Sequence, residues 1–105
     1  MPRYYLHASL PSKIPKIHRE GLKRGKRTGI FVARNMPELE DYMDEHSRAK
    51  WAIFQVDTRG LPIGKHDPLP NFEIGDSEGV QVFSNIPPRR VKFLGIYDSN
   101  RGMWL

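Results

Sequence analysis

The chain contains no cysteine. Disulfides and thiolate-ligated metals are therefore excluded, and the composition fits a reducing, cytoplasmic location. No apolar run approaches the roughly 18 residues that a membrane-spanning helix needs, so no membrane span is expected. The opening Met1-Pro2-Arg3-Tyr4-Tyr5-Leu6-His7 lacks a charged stretch followed by an apolar segment, which argues against a signal peptide. The histidines, His7, His18, His46 and His66, match no His-Glu-x-x-His or related spacing, so no metal site is expected. Gly-x-Ser-x-Gly, phosphate-loop and Gly-x-Gly-x-x-Gly signatures are missing too, which removes the common serine-hydrolase, NTPase and dinucleotide-fold readings.

Acidic residues are scarce at one end. Residues 1–28 carry eight Lys and Arg against Glu20 alone, a local charge of +7 in a chain whose net charge is +5. Residues 37–45 reverse the sign, with Glu38, Glu40, Asp41, Asp44 and Glu45 and no basic residue. A basic surface favours anionic partners, either nucleic acid or the pyrophosphate of a dinucleotide. A solvated surface is the plainer fate of such a run. With 105 residues and no internal repeat or linker, a single domain over 1–105 is expected.

Residues 3–8 alternate and include two tyrosines, which predicts a first strand. Leu10, Ile14, Ile17 and Leu22 fall near helical spacing over residues 10–20. Ser9 suits the N-cap of that helix, Pro11 its first turn and Gly21 its C-cap, while Pro15 either fits the first turn or delays the start. Residues 29–33 form a short apolar run, expected as a buried strand. Asn35 or Met36 then caps a second helix with Pro37 in its first turn, acids at its positive end, and Leu39, Tyr42, Met43 and His46 on one face. Residues 51–56, 80–83 and 91–97 are further strands, with a short edge strand at 72–75 and a Pro87-Pro88 turn before the last. Two helices early and strands late predict an α+β domain with a small, mainly antiparallel sheet system.

Three segments carry the functional signal. The first strand ends in His7-Ala8-Ser9, where a histidine precedes two small residues that let a ligand approach the backbone. Gly29-Ile30-Phe31-Val32-Ala33 follows, and then Tyr42, eleven positions beyond Phe31. The strand before Pro87-Pro88 contains Gln81, with Glu78 just ahead of it. Taken singly, His7 and Ser9 read as a strand-end histidine and a cap, and Phe31 and Tyr42 as core aromatics. Glu78 alone reads as part of the turn Gly75-Asp76-Ser77-Glu78-Gly79.

In order and spacing, these segments resemble the ADP-ribosyltransferase superfamily of the His-Tyr-Glu type. Phe54-Gln55-Val56-Asp57-Thr58-Arg59-Gly60-Leu61-Pro62 and Ile86-Pro87-Pro88-Arg89-Arg90-Val91 are similar to further segments of that family, so the resemblance spans most of the chain. It implies a cleft between two small sheets that binds NAD as substrate. His7, Ala8 and Ser9 would hold the adenosine ribose and the nicotinamide amide. Gly29 and Phe31 belong to the second motif, and Tyr42 would stack on nicotinamide. Ala8 stands where the family has glycine, and Phe31 where it has tyrosine. The third motif requires a glutamate, whose position falls near Glu78 or Gln81. In a regular strand these two face opposite sides, and a bulge at Gly79 would reconcile them.

The chemistry needs that carboxylate. Cleaving the ribose–nicotinamide bond builds positive charge on the ribose, which a carboxylate stabilises and a glutamine does not. The resemblance therefore implies ADP-ribosyl transfer to a protein or nucleic-acid acceptor if Glu78 faces the cleft. It implies an NAD- or ADP-ribose-binding module with little or no turnover if only Gln81 does. Lys23, Arg24, Lys26 and Arg27 precede the second motif and are expected at the cleft rim, steering either the NAD pyrophosphate or an acceptor. A third reading is a small basic nucleic-acid-binding protein, supported by the +7 segment and the nearby Tyr4 and Tyr5.

Overall fold

The computed structural model describes residues 4–25, 29–46, 48–64 and 80–105. Glu78, Lys26, Arg27, His66 and the expected edge strand at 72–75 lie outside the described residues. What is described is an α+β fold in which all strand pairings are antiparallel.

Strands β1 (Tyr4–Ser9), β3 (Lys50–Asp57), β6 (Val91–Asp98) and β7 (Met103–Trp104) form a four-stranded sheet in the order β1-β3-β6-β7. Strands β2 (Ile30–Val32), β5 (Val80–Val82) and β4 (Ile63–Gly64) form a three-stranded sheet in the order β2-β5-β4. A single pairing, Leu6 with Ala33, joins the two sheets through reciprocal backbone bonds of 2.8 Å. Beyond that point β1 and β2 diverge, and the sheet splits.

Side-chain alternation then sorts the core into two layers. Tyr5, Ala52, Phe54 and Val56 from the larger sheet meet Ile30, Val32, Val80 and Val82 from the smaller one, together with Ile17 of α1 (Ile14–Glu20). On the opposite face of the larger sheet, Ala8, Trp51, Ile53 and Tyr97 pack with Leu39 and Met43 of α2 (Met36–Asp44). The Tyr97 hydroxyl donates to Glu40 at 2.6 Å, which ties α2 to β6. At one point β6 carries an extra residue: Ile53 pairs with Gly95 and Phe54 with Phe93, leaving Leu94 without a partner.

The helix starts correct the sequence expectation. Ser9 is the last residue of β1, not an N-cap. A 3-10 turn at Pro11–Lys13 follows, with Leu10 in the N-cap position and no side-chain cap, and the α-helix begins only at Ile14. Two prolines account for the delay. Pro11 and Pro15 each fix φ and lack an N–H, so both sit in first turns, where no donor is needed. For α2 the expectation is met: the Asn35 side chain accepts from the Glu38 N–H at 2.9 Å, with Pro37 in the first turn.

After α1, Gly21 has φ of 75°, and a Cβ there would lie 2.0 Å from the Ile86 carbonyl oxygen. Only glycine lets the chain run this close to residues 86–88. The next residue, Leu22, pairs with Ile86 through bonds of 2.9 and 2.8 Å, which fixes the chain leaving α1 against the turn before β6.

Candidate functional site

The split between the sheets opens a cleft of about 500 Å³. That volume lies within the range of roughly 300–1,000 Å³ common to cofactor and small-ligand sites. His7 and Ser9 enter it from β1, Gly29 and Phe31 from the start of β2, and Tyr42 from α2. Sequence reasoning named all five, and the fold brings them to one cavity.

His7 sits where β1 and β2 separate. Its Nδ1–H donates to the Phe31 carbonyl at 2.8 Å, supplying the donor that the diverging strand does not. A carbonyl only accepts, so Nδ1 carries the proton. In the neutral ring Nε2 is then an acceptor. Burial pushes the imidazole pKa below its ordinary 6.5; the Phe31 bond opposes this and the Lys13 charge reinforces it. His7 is thus a neutral, oriented hydrogen-bond acceptor, suited to a hydroxyl donor such as a ribose.

Ala8 takes a different place. It pairs with Ile53 in the regular β1–β3 ladder, and its side chain is buried in the layer beneath α2, away from the cleft. An alanine here therefore carries no strain from a positive φ.

The aromatic pair is stacked on itself. The rings of Phe31 and Tyr42 stack on each other, with centroids 4.3 Å apart and planes 14° from parallel. A ring inserted between them would need about twice the 3.5–4.0 Å carbon contact distance. Nicotinamide therefore does not fit between these rings as they stand, and the pair offers a ligand an outer face or an edge. Tyr42 continues into a cluster with His46 at 4.7 Å and Trp51 at 6.0 Å, and the Arg48 guanidinium lies 5.0 Å from the Trp51 ring.

Gln81 is likewise reassigned. It pairs with Phe31 across the β2–β5 ladder, is 5% exposed, and accepts from the Gly29 N–H at 2.9 Å through Oε1. It braces the entry of the second motif and does not line the cleft. Gly29 is required by the same closeness, since a Cβ there would meet the Gln81 Cβ at 2.8 Å and Phe83 Cδ1 at 2.9 Å.

Of the expected rim cations, Lys23 lines the cleft. Arg24 is engaged elsewhere: its Nη1 donates to the Phe83 carbonyl at 2.9 Å, its guanidinium lies 5.6 Å from the Phe83 ring centroid, and its backbone N–H donates to Asn85. Sequence reasoning missed Lys13 and Lys16, which join Lys23 in the cleft wall. Their signal was their spacing, three apart at the start of α1, which puts them on one face. Among the described residues, three lysines and no carboxylate line the cavity.

Among the described residues no group of three or more His, Cys, Asp or Glu is placed to hold a metal ion. No helix there is long and apolar enough to cross a membrane. No protein-family model matches the chain, and no curated protein sequence matches it.

Proposed function

We propose that the cleft binds NAD and that the protein is a minimal ADP-ribosyltransferase-like domain. The observation that carries this is one cavity lined by three chemistries: the lysines Lys13, Lys16 and Lys23, the neutral His7 acceptor, and the Phe31–Tyr42 stack. Ammonium groups on one cavity wall, with no carboxylate lining the cavity among the described residues, suit a pyrophosphate. A neutral imidazole acceptor suits a ribose hydroxyl, and an aromatic face suits the planar, cationic nicotinamide ring. The open split sheet with its histidine at the branch point supports the same reading.

In the transfer step the bond between ribose C1′ and the nicotinamide nitrogen breaks. Nicotinamide leaves with the electron pair, and an acceptor nucleophile bonds to C1′ after losing its proton. The group we assign to charge stabilisation and proton removal is Glu78. Gln81, committed to Gly29, is not that group.

A second reading is favoured by one observation: no described residue brings a carboxylate to the cleft. If Glu78 does not enter it, the same cavity binds NAD or ADP-ribose without turnover. Nicotinamide release by wild type and Glu78→Gln separates the two. Release by the wild type that falls roughly a hundredfold or more in Glu78→Gln assigns transferase chemistry, a loss typical of a removed acid–base group. NAD binding without release in either protein assigns the binding module.

A further inference from the structure

The face of the larger sheet that α2 covers is covered only in part. Leu6 and Ala8 of β1 pack with Met36, Leu39 and Met43, whereas Tyr4, on the same side of β1 by alternation, is 47% exposed. Beside it lies a shallow hollow of about 360 Å³ lined by Tyr4, Gln55, Asp57 and residues 89–92, which include Arg89, Arg90, Val91 and Lys92. Strand register builds it: Tyr4 pairs with Asp57, and Gln55 pairs with Lys92, so these side chains form two adjacent rows across β1, β3 and β6.

The charge lining the hollow is one-sided. Asp57 is its only carboxylate among the described residues, and it is already held by Arg59 at 2.7 Å and Arg90 at 3.9 Å. Arg90 is further anchored by donating to the Asp57 and Arg59 carbonyls. Arg89 and Lys92 are exposed and make no ion pair with a described residue. The hollow thus combines one half-exposed aromatic ring, one amide and two cations without an ion pair to a described residue on a sheet surface.

We infer that this open half of the larger sheet binds single-stranded nucleic acid, with Arg89 and Lys92 on phosphates, Tyr4 stacked on a base, and the Gln55 amide against a base edge. Aromatic platforms flanked by cations are the general physical solution for unpaired strands, because every base offers a π-face and every nucleotide a phosphate. A duplex hides its base faces from Tyr4. The carboxylates of an acidic polypeptide would use the cations but have no π-face to stack on the exposed ring. The site is separate from the cleft, since Tyr5, His7 and Ser9 point to the opposite side of β1. It therefore stands whether or not the cleft binds NAD.

The test is fluorescence anisotropy of a labelled oligouridine and oligothymidine of about 12 nucleotides, titrated with the full chain between about 50 and 200 mM salt. Tyr4→Ala should weaken binding by roughly fivefold or more, and Tyr4→Phe should retain it. Arg89→Glu with Lys92→Glu should weaken it by roughly tenfold or more and reduce the log–log salt slope by about 0.7 per lost phosphate contact. An unchanged thermal midpoint establishes that the double variant is folded. Three results overturn the inference. One is no binding by the wild type. Another is a loss caused by Lys13→Glu with Lys16→Glu while the Arg89/Lys92 variant binds normally. The third is polyglutamate binding as tightly as the oligonucleotides, with no effect of Tyr4→Ala.

Discussion

Phe31 and Tyr42 stack ring on ring, 4.3 Å apart, at the wall of the cleft. A nicotinamide ring reaching this wall gains the outside of the pair and not its interior. An aromatic contact of this kind contributes about 0.5–1.5 kcal/mol. Tyr42→Ala should therefore weaken NAD by roughly two- to tenfold and change ADP-ribose, which lacks the nicotinamide, by less. Calorimetry with both ligands measures the difference. Equal losses for the two would place Tyr42 away from the nicotinamide end.

Gln81 and Gly29 form a structural brace. Gln81→Ala leaves the Gly29 N–H without its acceptor, which costs about 1–3 kcal/mol of stability. Gly29→Ala forces a methyl against Gln81 and Phe83 and should cost a similar amount, about 1–3 kcal/mol. Urea unfolding measures both. If Gln81 braces and does not catalyse, nicotinamide release per folded molecule stays within about twofold of wild type in Gln81→Ala, because a loss of bracing lowers the folded fraction and not the chemistry.

Asp57 answers to Arg59. The Arg59 guanidinium donates three bonds to the Asp57 carboxylate, its Nε–H reaching both oxygens and Nη2 one, and with the Arg59 backbone N–H holds its pKa down at about 2. Arg59→Ala should move it up toward the ordinary 3.8, as read by carboxyl-carbon NMR. The folded value lies below the unfolded one. The stabilisation is therefore present above pH 3.8 and is lost as pH falls toward 2 in the wild type. In Arg59→Ala that acid dependence should largely disappear.

His7 has the opposite character to a surface histidine. Its folded pKa lies below 6.5, so the unfolded chain binds its proton first as pH falls. Its contribution reduces stability from about pH 6.5 downward and levels off below the folded pKa. Nitrogen-detected NMR should show a protonated Nδ1, an unprotonated Nε2 and a midpoint under 6.5. A midpoint above 6.5 would remove the neutral acceptor from the cleft.

Much of the fold was legible because it rests on local rules. Asn35 three residues before Glu38, Pro37 in a first turn and Gly21 at a helix end each carry their own geometry in the sequence. Where two local signals competed, the sequence was less decisive. Ser9 and Pro11 together suggested a helix start, yet Pro15 moved it to Ile14 and left Ser9 in the strand. The two-residue strands β4 and β7 carry no periodicity of their own. They exist because Val82 and Tyr97 offer them an edge.

The site divides in the same way. His7, Ser9, Gly29 and Phe31 were legible from the order of short motifs. The self-stacked aromatic pair and the Gln81 brace were not, because they depend on registers across long separations, such as Phe31 against Gln81. Lys13 and Lys16 were visible as charges, but their entry into the cleft follows from how α1 packs beside the split.

The most direct test of the central claim is calorimetry with NAD on the wild type, on His7→Ala, and on Lys13→Glu with Lys16→Glu. Binding by the wild type that weakens roughly tenfold or more in each variant, in line with a lost charge-assisted or buried hydrogen bond, is the expected result. No binding by the wild type, or binding that ignores both variants, would contradict an NAD site in this cleft.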